Sequence, residues 1–248
     1  MWLDPVRKAL DAARAPIGIF FRDDDAGWDD ARLAALLEVF EEPLIPLDLA
    51  VIPQALTASL AEALLDRAKA QPLAFHQHGF DHANHEREGR KCEFGPSRSS
   101  QRQYRDIEQG RQRLRERLGG ASHPLFTPPW NRCTAATVDA LRALDFALLS
   151  RDVGARPLPL GGLRELSVGV DWCRHSGDRS ELGRRLAAAL EQPRPAGVML
   201  HHAVMGEDDL RALRELLHLL QHDERAHCRS MAAFAASEAP DAGRACAG

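Results

Sequence analysis

The chain has 248 residues, of which 44% are hydrophobic and 27% are charged, so it can bury a sizeable core. Its formal net charge of −4 excludes the basic field that nucleic-acid-binding proteins present, and we expect no nucleic-acid partner. No apolar run approaches the roughly 18 residues that a membrane span needs, so we expect no membrane span.

Residues 1–16 are predicted to form an amphipathic helix, without the apolar segment and cleavage site of a secretory signal. The five cysteines are an odd number and no two are closely spaced, which favours reduced thiols over a disulfide framework. We therefore expect a cytoplasmic protein. The absence of a clear linker predicts one domain over residues 1–248, with a frayed tail after about residue 238.

Short apolar runs alternate with longer segments of helical periodicity along the rest of the chain. The predicted strands cover residues 17–21, 46–52, 72–78, 123–130, 146–150, 163–172 and 197–202. The predicted helices cover residues 31–42, 55–70, 103–119, 136–144, 178–192 and 207–223. This alternation predicts an α/β fold with a parallel sheet or barrel. Residues 84–100 are polar and are predicted to form a long loop, either over the site or simply solvated.

Polar and titratable residues gather where five of the predicted strands end. In an α/β barrel these ends converge on one face, where active sites lie. The groups are Asp23–Asp25, then His76, His78 and His82, then Pro128–Asn131, then Asp171–Trp172, and finally His201–His202. Five clusters in equivalent positions favour one functional site over unrelated groups of solvated surface residues.

His78 and His82 are four residues apart, so a helical turn would place both imidazoles on one face. With one aspartate they form a two-histidine, one-carboxylate set that leaves positions open on a catalytic metal. The alternative for the pair alone is a histidine-rich surface loop. His76, two residues earlier on the same strand, is expected to pack against the barrel wall in a supporting role.

The three aspartates 23–25 repel one another unless a cation or a shared proton relieves them. The alternative is a solvated turn that caps the next helix. His201 and His202 are neighbours on a strand, so only one of them is expected to face the site. A histidine there suits a general acid, because its pKa lies near neutrality.

Five segments, taken in order, resemble the motifs of the polysaccharide deacetylases of carbohydrate esterase family four, the NodB-like homology domain. They are RDDD (22–25), HGFDH (78–82), TPPWN (127–131), DW (171–172) and LHH (200–202). The resemblance implies an α/β fold that is a distorted (β/α)7-8 barrel with mainly parallel strands. It also implies that His78 and His82 are metal ligands.

In the first motif, the resemblance makes Asp24 the catalytic base and Asp25 the third metal ligand. A register one residue earlier would give these roles to Asp23 and Asp24. In the last motif it makes His201 the general acid, with His202 as the alternative. Asp171 is implied to keep that histidine charged.

The third motif departs from the family pattern, because Thr127 replaces an arginine that orients the base in the family. Three arginines are candidates to substitute for it: Arg22, Arg98 and Arg132. The resemblance implies that Pro129, Trp130 and Asn131 form one wall of a substrate groove, and that the rings of Trp130 and Trp172 can stack on a sugar.

The resemblance thus implies a hydrolase that removes an N-acetyl, or less readily an O-acetyl, group from a sugar or glycoconjugate. It implies one divalent metal ion, zinc before cobalt, nickel or iron. The expected partner is an acetylated sugar or a small amide, and the oligomeric state is not indicated. The alternatives are a hydrolase of a non-sugar C–N bond and a carbohydrate-binding barrel whose catalytic site has decayed.

Overall fold

The computed structural model describes residues 1–237, and the tail predicted to fray after about residue 238 lies outside them. A parallel sheet of nine strands forms the centre of this part of the chain. The strands are β1 (Ile17–Ala26), β2 (Leu47–Val51), β3 (Leu73–His78), β4 (Ser122–Thr127), β5 (Leu148–Leu149), β6 (Arg164–Glu165), β7 (Val170–Asp171), β8 (Ala196–Leu200) and β9 (Ala226–Cys228).

Helices surround the sheet. They are α1 (Asp4–Ala12), α2 (Asp30–Val39), α3 (Ala58–Arg67), α4 (Ser100–Leu118), α5 (Ala135–Ala143), α6 (Trp172–His175), α7 (Arg179–Leu190), α8 (Glu207–Gln221) and α9 (Met231–Ser237). None of the helices in residues 1–237 is both long and apolar enough to cross a bilayer.

The strands follow one another in the order β6-β5-β4-β3-β2-β1-β8-β7, and β9 pairs in addition with β1. Each of these pairings is parallel, so the carboxyl ends of the strands lie on one face of the curled sheet. The predicted α/β class and distorted barrel are confirmed. Strand β1 lies between β2 and β8, and its end is therefore surrounded by the ends of its neighbours.

The sheet has an outer layer against the helices and an interior. On β1, Ile19 and Phe21 belong to the outer core, whereas Phe20 packs in the interior with Met231 and Phe234 of α9. The next residue with the same orientation as Phe20 is Arg22, which is completely buried. The interior is therefore apolar at the end closed by α9 and polar at the carboxyl end of the strands.

The structure differs from the predicted elements in three places. Strand β1 continues through Ala26, because the polar residues 22–25 find buried partners and do not turn into solvent. The strand predicted over residues 163–172 is two short strands, β6 and β7. Elements α6, β9 and α9 escaped prediction because they are only four, three and seven residues long.

Gly183 provides a test of the contact between α1 and α7. A β-carbon on Gly183 would overlap the backbone oxygen of Trp2, which lies two residues before the start of α1. Alanine usually favours an α-helix over glycine by about 1 kcal/mol, yet we expect Gly183→Ala to lower the free energy of unfolding by about 1–3 kcal/mol. Urea denaturation measures the change.

Gly120→Ala is the matched control, because nothing lies within 4 Å of the β-carbon that it adds. We expect its free energy of unfolding to stay within about 0.5 kcal/mol of the native value. A Gly183→Ala protein as stable as this control would contradict the described packing of α1 on α7.

Candidate metal and catalytic site

Asp25, His78 and His82 meet at the carboxyl end of the sheet. The Nε2 atoms of both histidines lie 3.1 Å from the Oδ1 atom of Asp25. The three ligand atoms all lie within 4.8 Å of one another, which is close enough for one metal ion. Burial raises the pKa of Asp25, but the hydrogen bonds and positive charge of the two imidazoles in their protonated form outweigh it and lower that pKa below its ordinary value.

The two histidines approach each other through a tight turn and not through the helical turn that their spacing predicted. His78 ends β3, and both Gly79 and His82 have a φ of 57°, in the left-handed region. Only glycine fits at position 79, because an added β-carbon would overlap the Glu93 carboxylate and the Pro129 ring. The left-handed backbone at His82 returns its imidazole towards His78.

Glu93 is a positioning residue of this turn that sequence reasoning missed. Its Oε1 atom accepts hydrogen bonds from the backbone N–H groups of Phe80, at 2.9 Å, and Asp81, at 3.0 Å. The residue is only 1% exposed, and burial raises its pKa to about 8. Glu93 lies in the predicted loop of residues 84–100, and its contact shows that this loop supports the site.

The orientation of the His78 ring is suited to binding a metal. Its Nδ1 atom donates to the backbone oxygen of Thr127 at 3.0 Å, so Nε2 is the nitrogen that faces Asp25. In the neutral imidazole, Nε2 would turn a lone pair towards a carboxylate oxygen, and these groups repel unless a cation lies between them. The residues present therefore fit a divalent ion.

Two tryptophans hold the His82 ring from either side. The ring centroids of Trp28 and Trp130 lie 4.6 Å and 4.5 Å from that of His82, both in edge-to-face geometry. Trp130 also lines the neighbouring groove, as its predicted substrate-binding role requires. The sequence analysis did not predict the contact of Trp28 with His82. The position of Trp28, three residues after Asp25, was a signal that it could lie near the site.

Asp24 is paired with a buried arginine from its own strand. Arg22 donates from Nε to Oδ1 of Asp24 at 2.8 Å and from Nη2 to Oδ2 at 3.0 Å. It also donates to Ser150 Oγ at 2.8 Å and to Asn131 Oδ1 at 2.9 Å. Burial raises the pKa of Asp24, but the Arg22 guanidinium outweighs it and lowers that pKa below its ordinary value.

Of the three arginines that were candidates to orient Asp24, Arg22 is the one that contacts it. Arg98 forms an ion pair with Asp106 on α4, and Arg132 donates to the backbone oxygen of Lys91. Neither contacts Asp24 among the described residues. Thr127, which stands where the family pattern has an arginine, lies 2.8 Å from His76 Nε2 through its Oγ1 atom.

His202 is buried and pairs with Asp23. Its Nδ1 atom lies 2.6 Å from Asp23 Oδ2, and its Nε2 atom lies 2.7 Å from the backbone oxygen of Trp28. Both partners only accept hydrogen bonds, so both ring nitrogens carry protons. Burial lowers the pKa of His202, but the Asp23 carboxylate outweighs it and raises that pKa to about 9.

The alternatives Asp23 and His202 are thus occupied with each other, and the structure contradicts their use as base and acid. His201 instead lines the groove beside Asp171, Trp130 and Asn131. Asp171 accepts a hydrogen bond from the backbone N–H of Arg174 at 3.2 Å and caps α6. No hydrogen bond joins Asp171 to His201 within residues 1–237.

Trp172 is wrongly predicted as a sugar-stacking residue. Its ring is completely buried, packs edge-on against Trp2 and donates from Nε1 to Asp209 Oδ1 at 3.3 Å. Pro129 is also buried, and its contact is with Gly79. The predicted supporting role of His76 agrees with its position, since it lies 2.8 Å from Thr127 Oγ1, and burial lowers its pKa to about 3.

The family model described as polysaccharide deacetylase matches residues 14–149 of this chain. No curated protein gives a significant match. Among solved structures, a family 4 carbohydrate esterase from Streptomyces lividans, in complex with acetate, has a TM-score of 0.56 and 17% identity. That match covers 89% of this chain and 94% of the other.

Two further solved structures share the fold. A family 4 acetyl xylan esterase from Clostridium thermocellum, in complex with a cobalt ion, has a TM-score of 0.58 and 14% identity, covering 87% of this chain and 89% of that one. A CE4 family pseudoenzyme from Bacillus anthracis has a TM-score of 0.62 and 11% identity, covering 89% of this chain and 66% of that one.

The role of Glu93 can be tested by metal affinity. Glu93→Ala leaves two backbone N–H groups of the turn between His78 and His82 without their acceptor, so we expect zinc affinity to fall about 10- to 100-fold. Glu93→Gln keeps an oxygen acceptor and is expected to lose less. Competition between the protein and a coloured chelator measures the affinity.

Glu88→Ala is the control for this experiment, because Glu88 is an exposed carboxylate of the same loop. Its affinity for zinc is expected to equal that of the unaltered protein. If Glu93→Ala bound zinc as tightly as Glu88→Ala, the turn would hold its geometry without Glu93.

The Asp23–His202 pair predicts a pH dependence of stability. Because the pKa of His202 is raised in the folded protein, its contribution is fully present below about pH 6.5 and is lost as the pH rises through about 9. We expect the free energy of unfolding, measured in urea, to fall over this range, and to fall less steeply in His202→Gln. The control is His227→Gln, which alters an exposed histidine and is expected to keep the native dependence of the free energy of unfolding on pH. If both variants showed the same dependence, the pairing of Asp23 with His202 would be contradicted.

Proposed function

The chain belongs to the polysaccharide deacetylase family, and from that premise we propose that it removes an N-acetyl group from a sugar or glycoconjugate with the help of a divalent metal ion. One observation carries the proposal. The ligand atoms of Asp25, His78 and His82 lie within 4.8 Å of one another, and Asp25 is the neighbour on β1 of an ionised Asp24 that Arg22 holds.

A divalent ion held by Asp25, His78 and His82 would supply Lewis acidity, polarising the acyl carbonyl group and making water a stronger acid. Zinc is the first choice, because two imidazoles and one carboxylate suit it, while cobalt, nickel and iron accept the same ligands. The edge-on contacts of Trp28 and Trp130 with His82 hold one ligand ring in a single orientation.

Asp24 is suited to accept the proton of the attacking water on a carboxylate oxygen. Its lowered pKa keeps it ionised at neutral pH, and its bidentate contact with Arg22 fixes the carboxylate plane. Asn131 and Ser150 hold the same guanidinium, so the carboxylate has little freedom to rotate towards Asp25. The base is thus kept charged and oriented without being a metal ligand.

His201 is the proposed general acid and donates a ring proton to the leaving nitrogen. It faces the groove, whereas His202 is committed to Asp23 and Trp28. Asp171 lines the same groove as His201. A nitrogen leaving group needs this proton more than an oxygen one does, which favours amide over ester hydrolysis.

The substrate within this class, the native metal and the expected cytoplasmic location stay predictions. Small non-sugar amides suit the same chemistry, and a binding protein with a decayed site would keep the groove without turnover. Measurements of metal content and of turnover distinguish these alternatives.

The experiment compares Asp24→Asn with His78→Ala. We expect Asp24→Asn to bind one zinc ion per chain but to release acetate from acetylated sugars at least about 100-fold more slowly, because the base is lost. His78→Ala is expected to lose both the metal and the activity. Metal content is measured by elemental analysis, and acetate by a coupled enzymatic assay.

Asp30→Asn, at an exposed aspartate that begins α2, is the control and is expected to keep metal and activity. Unaltered protein that bound no metal would contradict the proposal. Turnover of small amides but not of sugars would support the non-sugar alternative. Metal without turnover of either class would support a binding protein.

A further inference from the structure

A groove of about 840 Å³ adjoins the candidate metal site, and one side of it is rich in arginine. Trp130, Asn131 and His201 form the part nearest the chemistry. The arginines that line the rest are Arg90, Arg132, Arg151, Arg156 and Arg174. The volume is in the range of sites that enclose a sugar ring together with a substituent.

Most of these guanidinium groups have no charged partner of their own. Arg151 is paired with Glu165, at 2.7 Å, and is neutralised. The structure gives no ion pair to the other four within residues 1–237, and Arg132 uses only one of its donors, on the backbone oxygen of Lys91. The groove therefore presents guanidinium donors that are free to bind a ligand.

Most of the carboxylates that line the groove already accept a hydrogen bond from the protein. Asp171 accepts from the backbone N–H of Arg174, Asp152 from that of Gly154, and Glu86 from Ser97. Glu88 is exposed and has no hydrogen-bond or ion-pair partner among the described residues. Three of the four carboxylates thus help to shape the groove wall.

Arg90 and Arg132 are also close enough to disturb each other. Burial lowers the pKa of Arg132, and the positive charge of Arg90 lowers it further. An anion bound between the two groups would relieve this repulsion. Lys91, between Arg90 and Cys92 in the chain, adds a further positive charge to the same segment.

We propose that Arg132, together with Arg90, Arg156 and Arg174, forms an anion-binding subsite, so that the substrate is an acetylated sugar carrying a phosphate or carboxylate group. The planar guanidinium matches both anions with two parallel hydrogen bonds. This inference rests on the proposed deacetylase function for its substrate, but the binding of the anion does not require turnover.

The test compares three probes: N-acetylglucosamine, its 1-phosphate and its 3-O-lactyl ether, which carries a carboxylate. We expect kcat/KM for at least one anionic probe to exceed that of the neutral sugar about tenfold or more, mainly through KM, because guanidinium groups form strong charged hydrogen bonds with an anion. The preference is expected to shrink as salt is added. Whichever anionic probe is preferred identifies the group.

Arg132→Gln and Arg174→Gln are expected to reduce the ratio of kcat/KM between the preferred anionic probe and the neutral sugar about tenfold. Arg105→Gln alters an exposed arginine of α4 outside the groove and is expected to leave the ratio unchanged. Equal kcat/KM for all three probes, or a ratio that Arg132→Gln does not alter, would overturn the inference while leaving the deacetylase proposal standing.

Calorimetric binding of the same probes separates the two proposals. If no probe is hydrolysed but the 1-phosphate or the lactyl ether binds more tightly than the neutral sugar, and Arg132→Gln abolishes the difference, the subsite is supported and the deacetylase proposal fails. If no probe is hydrolysed and all bind equally weakly, both proposals fail.

Discussion

The site is organised by the need to keep three adjacent carboxylates charged on one buried strand. Burying an unpaired carboxylate costs several kcal/mol, and neighbouring negative charges raise that cost. The structure gives each aspartate different basic side chains as partners: His202 for Asp23, Arg22 for Asp24, and His78 with His82 for Asp25. Successive side chains of a strand point to opposite faces, and the register of β1 with β2 becomes irregular after Asp23. The three aspartate side chains therefore point in different directions.

The arrangement of these side chains is accompanied by backbone strain, which is concentrated at the site. Four non-glycine residues there adopt a left-handed φ, each costing on the order of 1–3 kcal/mol, and they are Asp25, His82, Trp130 and Asn131. Hydrogen bonds offset the strain where it occurs. Arg22 holds the Asn131 amide, and Glu93 holds the turn that leads to His82. The ligands and the groove wall are therefore fixed before a substrate arrives.

The sequence predicted the strands well where an apolar run was long, as for β2, β3 and β8. It predicted that His78 and His82 lie close to the aspartates 23–25, because strand ends in a parallel sheet converge, and the family resemblance selected Asp25 among the three. It could not predict partners that depend on tertiary contacts. The burial of Trp172 follows from Trp2 and Asp209, which are distant in sequence, and the role of Glu93 follows from the path of a loop without periodicity.

The adjacent strand β2 explains why the charge of Arg22 is committed to Asp24. Asp48 on β2 is the register partner of Arg22 and is completely buried, so it is a competing acceptor for the guanidinium. Burial raises the pKa of Asp48 to about 8, and its Oδ2 atom accepts from the backbone N–H of Met231, at 2.8 Å, where α9 closes the barrel. Because Asp48 is mostly neutral at pH 7, it does not attract the guanidinium strongly. The apolar closure of the barrel by α9 thereby favours the pairing that keeps Asp24 ionised.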